Sequence, residues 1–107
     1  MRKSNIYDSI SDLALPQETF EILLKNNNLK IERIISSGHK SPDGFWYDQE
    51  INEWILILEG EARLEFENSE FISLKKGDYL NIPAHIKHRV SYTSNKPKCI
   101  WLAVFYE

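Results

Sequence analysis

From Leu29 to Tyr106 the sequence is a succession of short runs rich in Ile, Leu, Val and aromatic residues, broken by Gly, Pro, Asn or Ser. That spacing is the pattern of an all-β sandwich or barrel and leaves no room for long helices. It predicts strands at Leu29 to Ser36, Trp54 to Glu59, Glu61 to Glu67, Phe71 to Leu74, Tyr79 to Ile82, His88 to Thr93 and Cys99 to Tyr106. Ala62, Leu64 and Phe66 alternate with Arg63, Glu65 and Glu67, so that strand turns one face to the core and one to water. Two runs do not alternate. Trp54 to Leu58 and Ile100 to Tyr106 are apolar on both faces, and each such strand needs cover on both sides. A second copy of the chain, packed on the outer faces of these strands, supplies that cover and predicts a homodimer. Cover by an N-terminal helix of the same chain is the alternative.

Upstream of the barrel one short helix is expected. Pro16 suits a first helical position, Glu18 and Glu21 lie near the positive end of the helix, and Phe20, Leu23 and Leu24 share a face before Asn26, Asn27 and Asn28 stop it. The 107 residues form one domain, with a helical arm over residues 1–28 and a barrel over residues 29–107.

Charge narrows the partners. With 13 Lys and Arg against 16 Asp and Glu, the net charge is -3 and no basic surplus exists to neutralise a phosphate backbone, so no nucleic-acid partner is expected. No stretch approaches the roughly 20 apolar residues of a membrane span, and Asp8 and Asp12 interrupt the N-terminus before a signal-peptide core can form. Cys99 is the single cysteine, which excludes an internal disulfide, fits a reducing compartment and makes a cytoplasmic location the expectation. As a small apolar residue at the start of a strand, it has no catalytic role.

Two histidines, His85 and His88, lie in the segment GDYLNIPAHIKHRV, where Pro83 ends one strand and His88 opens the next. That position suits a ligand or a base, or a structural histidine. Glu53 stands at the mouth of the apolar run Trp54 to Leu58, where a carboxylate needs a metal, a hydrogen-bond network or exposure. The loop from His39 to Gln49 carries three consecutive aromatic residues, Phe45, Trp46 and Tyr47, followed by Asp48 and Gln49. Such a loop can wall a small-molecule pocket with a few polar anchors, or plug the barrel or the dimer interface. Arg33 interrupts the face formed by Leu29, Ile31 and Ile35 and either snorkels from the edge or points into the barrel to hold an anionic substrate. There is no phosphate-binding glycine loop, no Gly-x-Ser-x-Gly elbow and no His-Glu-x-x-His helix.

With these residues in view, the sequence resembles the cupin superfamily, and in particular small single-domain bacterial cupins that carry the same aromatic loop. The family's first motif ends in Glu, six residues and Gly, which Glu53 and Gly60 match; its second runs Gly, five residues, Pro-x-Gly, two residues and His, which Gly77, Pro83 and His88 match. The resemblance covers roughly residues 29 to 106 and implies an antiparallel jelly-roll β-barrel. It also implies a metal site, but both histidines of the first motif are missing. With three intervening residues before Glu53 their places fall to Tyr47 and Gln49, with four to Trp46 and Asp48, and the Gly of the second motif is His85. The implied metal set is Glu53, His88 and Gln49 or Asp48, with His85 or His39 as a possible addition, a mixed donor set for Fe(II), Mn(II), Ni(II) or Zn(II). The expected function is a pocket for a small polar metabolite at the barrel mouth. It is either a metal-dependent enzyme of isomerase or dioxygenase type, or a non-catalytic binding or sensing module. In the enzyme reading Tyr47 and His85 act as acid, base or orienting groups, and Trp46, Asp48 and Arg33 bind substrate.

Overall fold

The computed structural model describes residues 1–11, 13 and 15–107, so Asp12 lies outside the described residues. Among these, eight strands form: β1 (Thr19–Lys25), β2 (Leu29–Ser36), β3 (Asn52–Glu59), β4 (Glu61–Phe66), β5 (Phe71–Lys75), β6 (Tyr79–Ile82), β7 (His88–Thr93) and β8 (Cys99–Tyr106). They build two antiparallel sheets, one in the order β1-β2-β8-β3-β6 and one in the order β5-β4-β7. The seven strands expected from Leu29 onward are all present, with ends within two residues of the sequence reading.

The expected N-terminal helix does not form: no residue described is helical, and Thr19 to Lys25 is an extended edge strand paired with β2. The physical reason lies in β2. Its free edge offers a row of unpaired backbone groups that seven residues of β1 satisfy, whereas an isolated helix of that length is marginal in water. The three-and-four spacing that suggested a helix comes from a register shift between Ile22 and Leu24. Around that bulge the apolar residues no longer alternate.

The core lies between the sheets, where Ile55, Ile57, Leu64, Cys99 and Ala103 are each at most 2% exposed. Full burial of one such aliphatic side chain contributes about 1.5–3 kcal/mol. Strands β3 and β8 are central in their sheet, which explains their two apolar faces: Ile55, Ile57 and Trp101 point inward, and Trp54, Leu56 and Leu102 outward. Part of the outer face is covered from within the chain. Arg33 donates to the carbonyls of Ile6 (2.9 Å) and Asp8 (2.6 Å) and to Glu21 Oε2 (2.8 Å), Tyr7 donates to the Leu58 carbonyl, and Lys98 donates to the carbonyls of Ser11 and Leu13. The described parts of the arm thus form a strap tied to β2, to the end of β3 and to Lys98, just before β8.

Gly60 shows why the first motif ends in glycine. Its φ is +78°, and a Cβ there would stand 2.5 Å from the Lys98 carbonyl and from Ser94 Oγ. Only glycine combines that backbone conformation with so close an approach.

Candidate functional site

The alternating pleat of β3 turns Glu53 inward with Ile55 and Ile57, and β7 opens with His88 on the facing sheet. His88 is held on both sides. Its backbone exchanges two hydrogen bonds with Tyr47, N to O at 3.1 Å and O to N at 2.7 Å, and its ring stacks on the Tyr47 ring at 5.4 Å between centroids. That bridge fixes the register of the aromatic loop. Tyr47 and Gln49 line the barrel cavity, and Trp46 and Asp48, on the alternate face, do not.

The segment leading to His88 is pinned by the Ala84 N–H donating to Asn52 Oδ1 (3.0 Å) and the His85 N–H donating to the Gln49 carbonyl (2.8 Å). His85 has φ +65°. The family's motif has glycine at this position because the backbone is left-handed there; a histidine tolerates that conformation at a modest cost.

The cavity has a volume of about 70 Å³, several times the roughly 10–15 Å³ that one water occupies. Phe20, Trp101 and Phe105 wall it, and Glu18, Glu32, Gln49, Glu53 and His88 are its polar lining with Tyr47. At its centre His88 Nε2 lies 3.4 Å from Glu53 Oε1, with side chains only 7% and 12% exposed. His88 Nδ1 lies 2.8 Å from the Ile86 carbonyl, which only accepts, so Nδ1 carries a proton. Two acceptors facing each other across 3.4 Å would repel, so the pair is favourable with a proton also on Nε2. Burial lowers the His88 pKa, but the Glu53 contact, the Ile86 hydrogen bond and the Glu53 charge outweigh it, and the net shift is upward from 6.5. Burial and the charges of Glu18 and Glu53 raise the Tyr47 hydroxyl above 10.0, so it stays a neutral donor.

The other sequence-derived residues lie elsewhere. His85 Nδ1 meets Asp48 Oδ1 at 3.0 Å, but the pair is exposed on the rim and His85 lines a separate groove. Trp46 is half-buried outside the cavity. Arg33 is on the outer face under the N-terminal strap, with its guanidinium engaged by Glu21 and two carbonyls, so it does not reach a ligand in the barrel. His39 accepts from the Ser37 N–H and is not in the cavity wall. Sequence reasoning missed Glu18 and Glu32. Glu32 belongs to the inward Lys30-Glu32-Ile34 face of β2, and its alternation with Ile31 and Arg33 was the available signal. Glu18 accepts from Ser36 Oγ (2.5 Å), which in turn accepts from the Trp101 indole (3.1 Å). The expectation of a helix concealed it.

A family model described as the cupin domain matches residues 35–105. The chain belongs to the cupin family. The cupin fold extends over the whole chain: a protein of Ralstonia eutropha JMP134, named as a candidate mannose-6-phosphate isomerase, superposes with a TM-score of 0.94 and 39% identity, covering 100% of this chain and 99% of that one. A cupin superfamily protein of Desulfitobacterium hafniense DCB-2 shares the fold at a TM-score of 0.79 and 20% identity, covering 99% and 92% of the two chains. Among curated proteins, the RCS-specific HTH-type transcriptional activator RclR of Escherichia coli (strain K12) is 27% identical over 67 residues, which are 63% of this chain and 23% of that protein. This cupin therefore spans about a quarter of that regulator's length. No helix among the described residues is long and apolar enough to cross a membrane.

Cupins often bind a divalent metal. Here Glu53 Oε1 and His88 Nε2 converge, and the Nδ1 proton of His88 leaves Nε2 as the only ring atom able to ligate. The third member of the set, Gln49, offers a neutral amide, and no group of three His, Cys, Asp or Glu among the described residues is placed to hold an ion. Two strong donors and an amide do not fit a resident Fe(II), Mn(II), Ni(II) or Zn(II). The same pair suits acid-base chemistry.

Proposed function

We propose that the cavity binds a small polar metabolite and moves a proton on it in an isomerase-like reaction. The observation that carries this reading is the buried His88–Glu53 pair, 3.4 Å apart, beside an apolar-walled cavity. In this reading one member of the pair takes a proton from the hydroxyl-bearing carbon next to a carbonyl and delivers it to the carbonyl carbon, while the hydroxyl proton passes to the former carbonyl oxygen, with no net change of charge or oxidation state. His88, with its pKa raised from 6.5, can hold and pass on such a proton. Tyr47, kept protonated, donates a hydrogen bond to the developing oxyanion. The name of the Ralstonia protein supports the reaction class.

Proton exchange in heavy water tests this. Small aldoses and hydroxyketones are incubated with the protein, and proton NMR follows the C–H signal next to the carbonyl. Exchange is expected with the wild type and is reduced at least about 100-fold in His88→Gln and Glu53→Gln, the range of general acid-base catalysis. Exchange equal to that of both variants across the panel would refute the proposal.

The likeness to a stretch of RclR supports a second reading, a sensing module that holds its ligand unchanged. Binding without exchange in the same samples would establish it. For assembly we infer a homodimer: Phe20, Ile22, Leu23 and Leu24 of edge strand β1 are 43–56% exposed, and Trp54 and Leu102 are only half-covered on the outer sheet face. Light scattering on the eluting protein tests this, and a monomer would refute it. The free, buried Cys99 suits a reducing cytoplasm.

A further inference from the structure

The charge of the cavity selects its ligand. Three carboxylates from three different strands or their flanks line it, Glu18, Glu32 and Glu53, and no lining residue is Lys or Arg. Two cations oppose them. His88 faces Glu53, and Lys30 Nζ, which lies outside the cavity in a neighbouring surface pocket, is 3.6 Å from Glu32 Oε2. Counted at full charge, two cations against three carboxylates leave one negative charge, and it falls to Glu18, whose partner is the neutral hydroxyl of Ser36.

The protein's own ammonium shows such a pairing in the neighbouring surface pocket, which shares Phe105 with the cavity. Lys30 Nζ sits 4.6 Å over the centroid of the Phe105 ring while paired with Glu32, an ammonium between a carboxylate and an aromatic face. Inside the cavity Glu18 and Glu53 line the same wall as the Tyr47 and Trp101 rings, and the one cation there, His88, faces Glu53. A phosphorylated sugar would bring a dianion against three carboxylates in a low-dielectric space, where like charges repel strongly.

We infer that the ligand of this cavity is a small cation, an ammonium-bearing molecule of the size of an amino alcohol, held by Glu18 and Glu53 against the aromatic wall of Tyr47 and Trp101. The inference rests on the cavity being a ligand site, as proposed above, and not on turnover there.

The Trp101 indole N–H, which donates to Ser36 Oγ in the chain ending at Glu18, is a direct reporter. In nitrogen-proton correlation spectra, ethanolamine is titrated against ethylene glycol, its neutral counterpart, and against glycolate and mannose 6-phosphate as anions. Ethanolamine is expected to shift the indole signal saturably, ethylene glycol to bind at least about tenfold more weakly, and the anions to produce no shift; one charged hydrogen bond is worth about that factor. Glu18→Gln, nearly the same shape, lowers ethanolamine affinity about tenfold and leaves ethylene glycol unchanged, with the rest of the spectrum reporting an intact fold. Glu53→Gln repeats the test from the other side. Equal binding of ethanolamine and ethylene glycol, tighter binding of either anion, or no saturable shift with ethanolamine would overturn the inference. Ethanolamine binding without carbonyl proton exchange would leave it standing and remove the isomerase reading, and exchange with only uncharged or anionic compounds would do the reverse.

Discussion

Replacing Glu53 by Gln removes the negative partner of His88 without changing the shape of the side chain, and its effect depends on pH in a direction that the structure sets. His88 has its folded-state pKa raised above 6.5, so it binds its proton more tightly in the fold than in the unfolded chain. The stability contributed by the pair is therefore fully present below about pH 6.5 and is lost as the pH rises through the folded-state pKa. At 7% and 12% exposure the two side chains are little screened by solvent. A hydrogen bond to a charged group contributes about 1.5–3 kcal/mol, and a separation of 3.4 Å is long for one, which places the pair near the lower figure. In the variant, burial and the Ile86 carbonyl remain while the carboxylate is gone, so His88 gives up its proton at lower pH. Urea unfolding followed by tryptophan fluorescence, at about pH 5.5 and about pH 8.5, isolates this effect as the difference between wild type and variant. The expected loss on substitution is larger at the acid pH by about 1.5 kcal/mol. A loss that is equal at both pH values, or larger at the alkaline one, would mean that His88 is neutral in the fold and would remove the proton carrier from the proposed reaction.

Gly60→Ala should cost more than Gly77→Ala, by roughly 2 kcal/mol in the same assay. Both residues have positive φ, but a Cβ at Gly60 meets the Lys98 backbone at 2.5 Å while one at Gly77 meets nothing within 4 Å. Comparable losses would show that the approach of Gly60 to β8 is not tight. Arg33→Met removes the donor that fixes Ile6 and Asp8, and chymotrypsin should then cut at Tyr7 at least about tenfold faster, since cleavage follows the open population of the strap; an unchanged rate would show that the strap is held by other contacts. Burial pushes the Cys99 thiol up to about 12, so a thiol reagent at neutral pH should label it only on unfolding, and rapid labelling of the native protein would contradict its place in the core.

The departures between sequence and structure have particular causes. In β2 the face with more apolar residues, Leu29, Ile31 and Ile35, is the outer one, and the face carrying Lys30 and Glu32 points inward. Amphipathic patterning favours the opposite assignment, and it fails here because the strap covers the outside while a polar cavity occupies the inside. Arg33 follows the outer face and meets the arm. β1 lacks a readable strand pattern because a bulge breaks its alternation and all seven of its residues are exposed.

What the sequence determined by itself is the set of strands from Leu29 onward, the turns at Gly60 and Gly77, and the pairing of Glu53 with His88 at facing strand mouths. These follow from period-two patterning, backbone restrictions and motif spacing, all local properties of the chain. The tertiary structure alone decided which loop residues enter the cavity. Tyr47 and Gln49 do so, because the bridge from Tyr47 to His88 fixes the register of a segment whose own sequence fits either face. It also decided that Glu18 and Glu32 join the site and that Arg33 leaves it, since the inside of a barrel exists only once strands distant in sequence have closed around it.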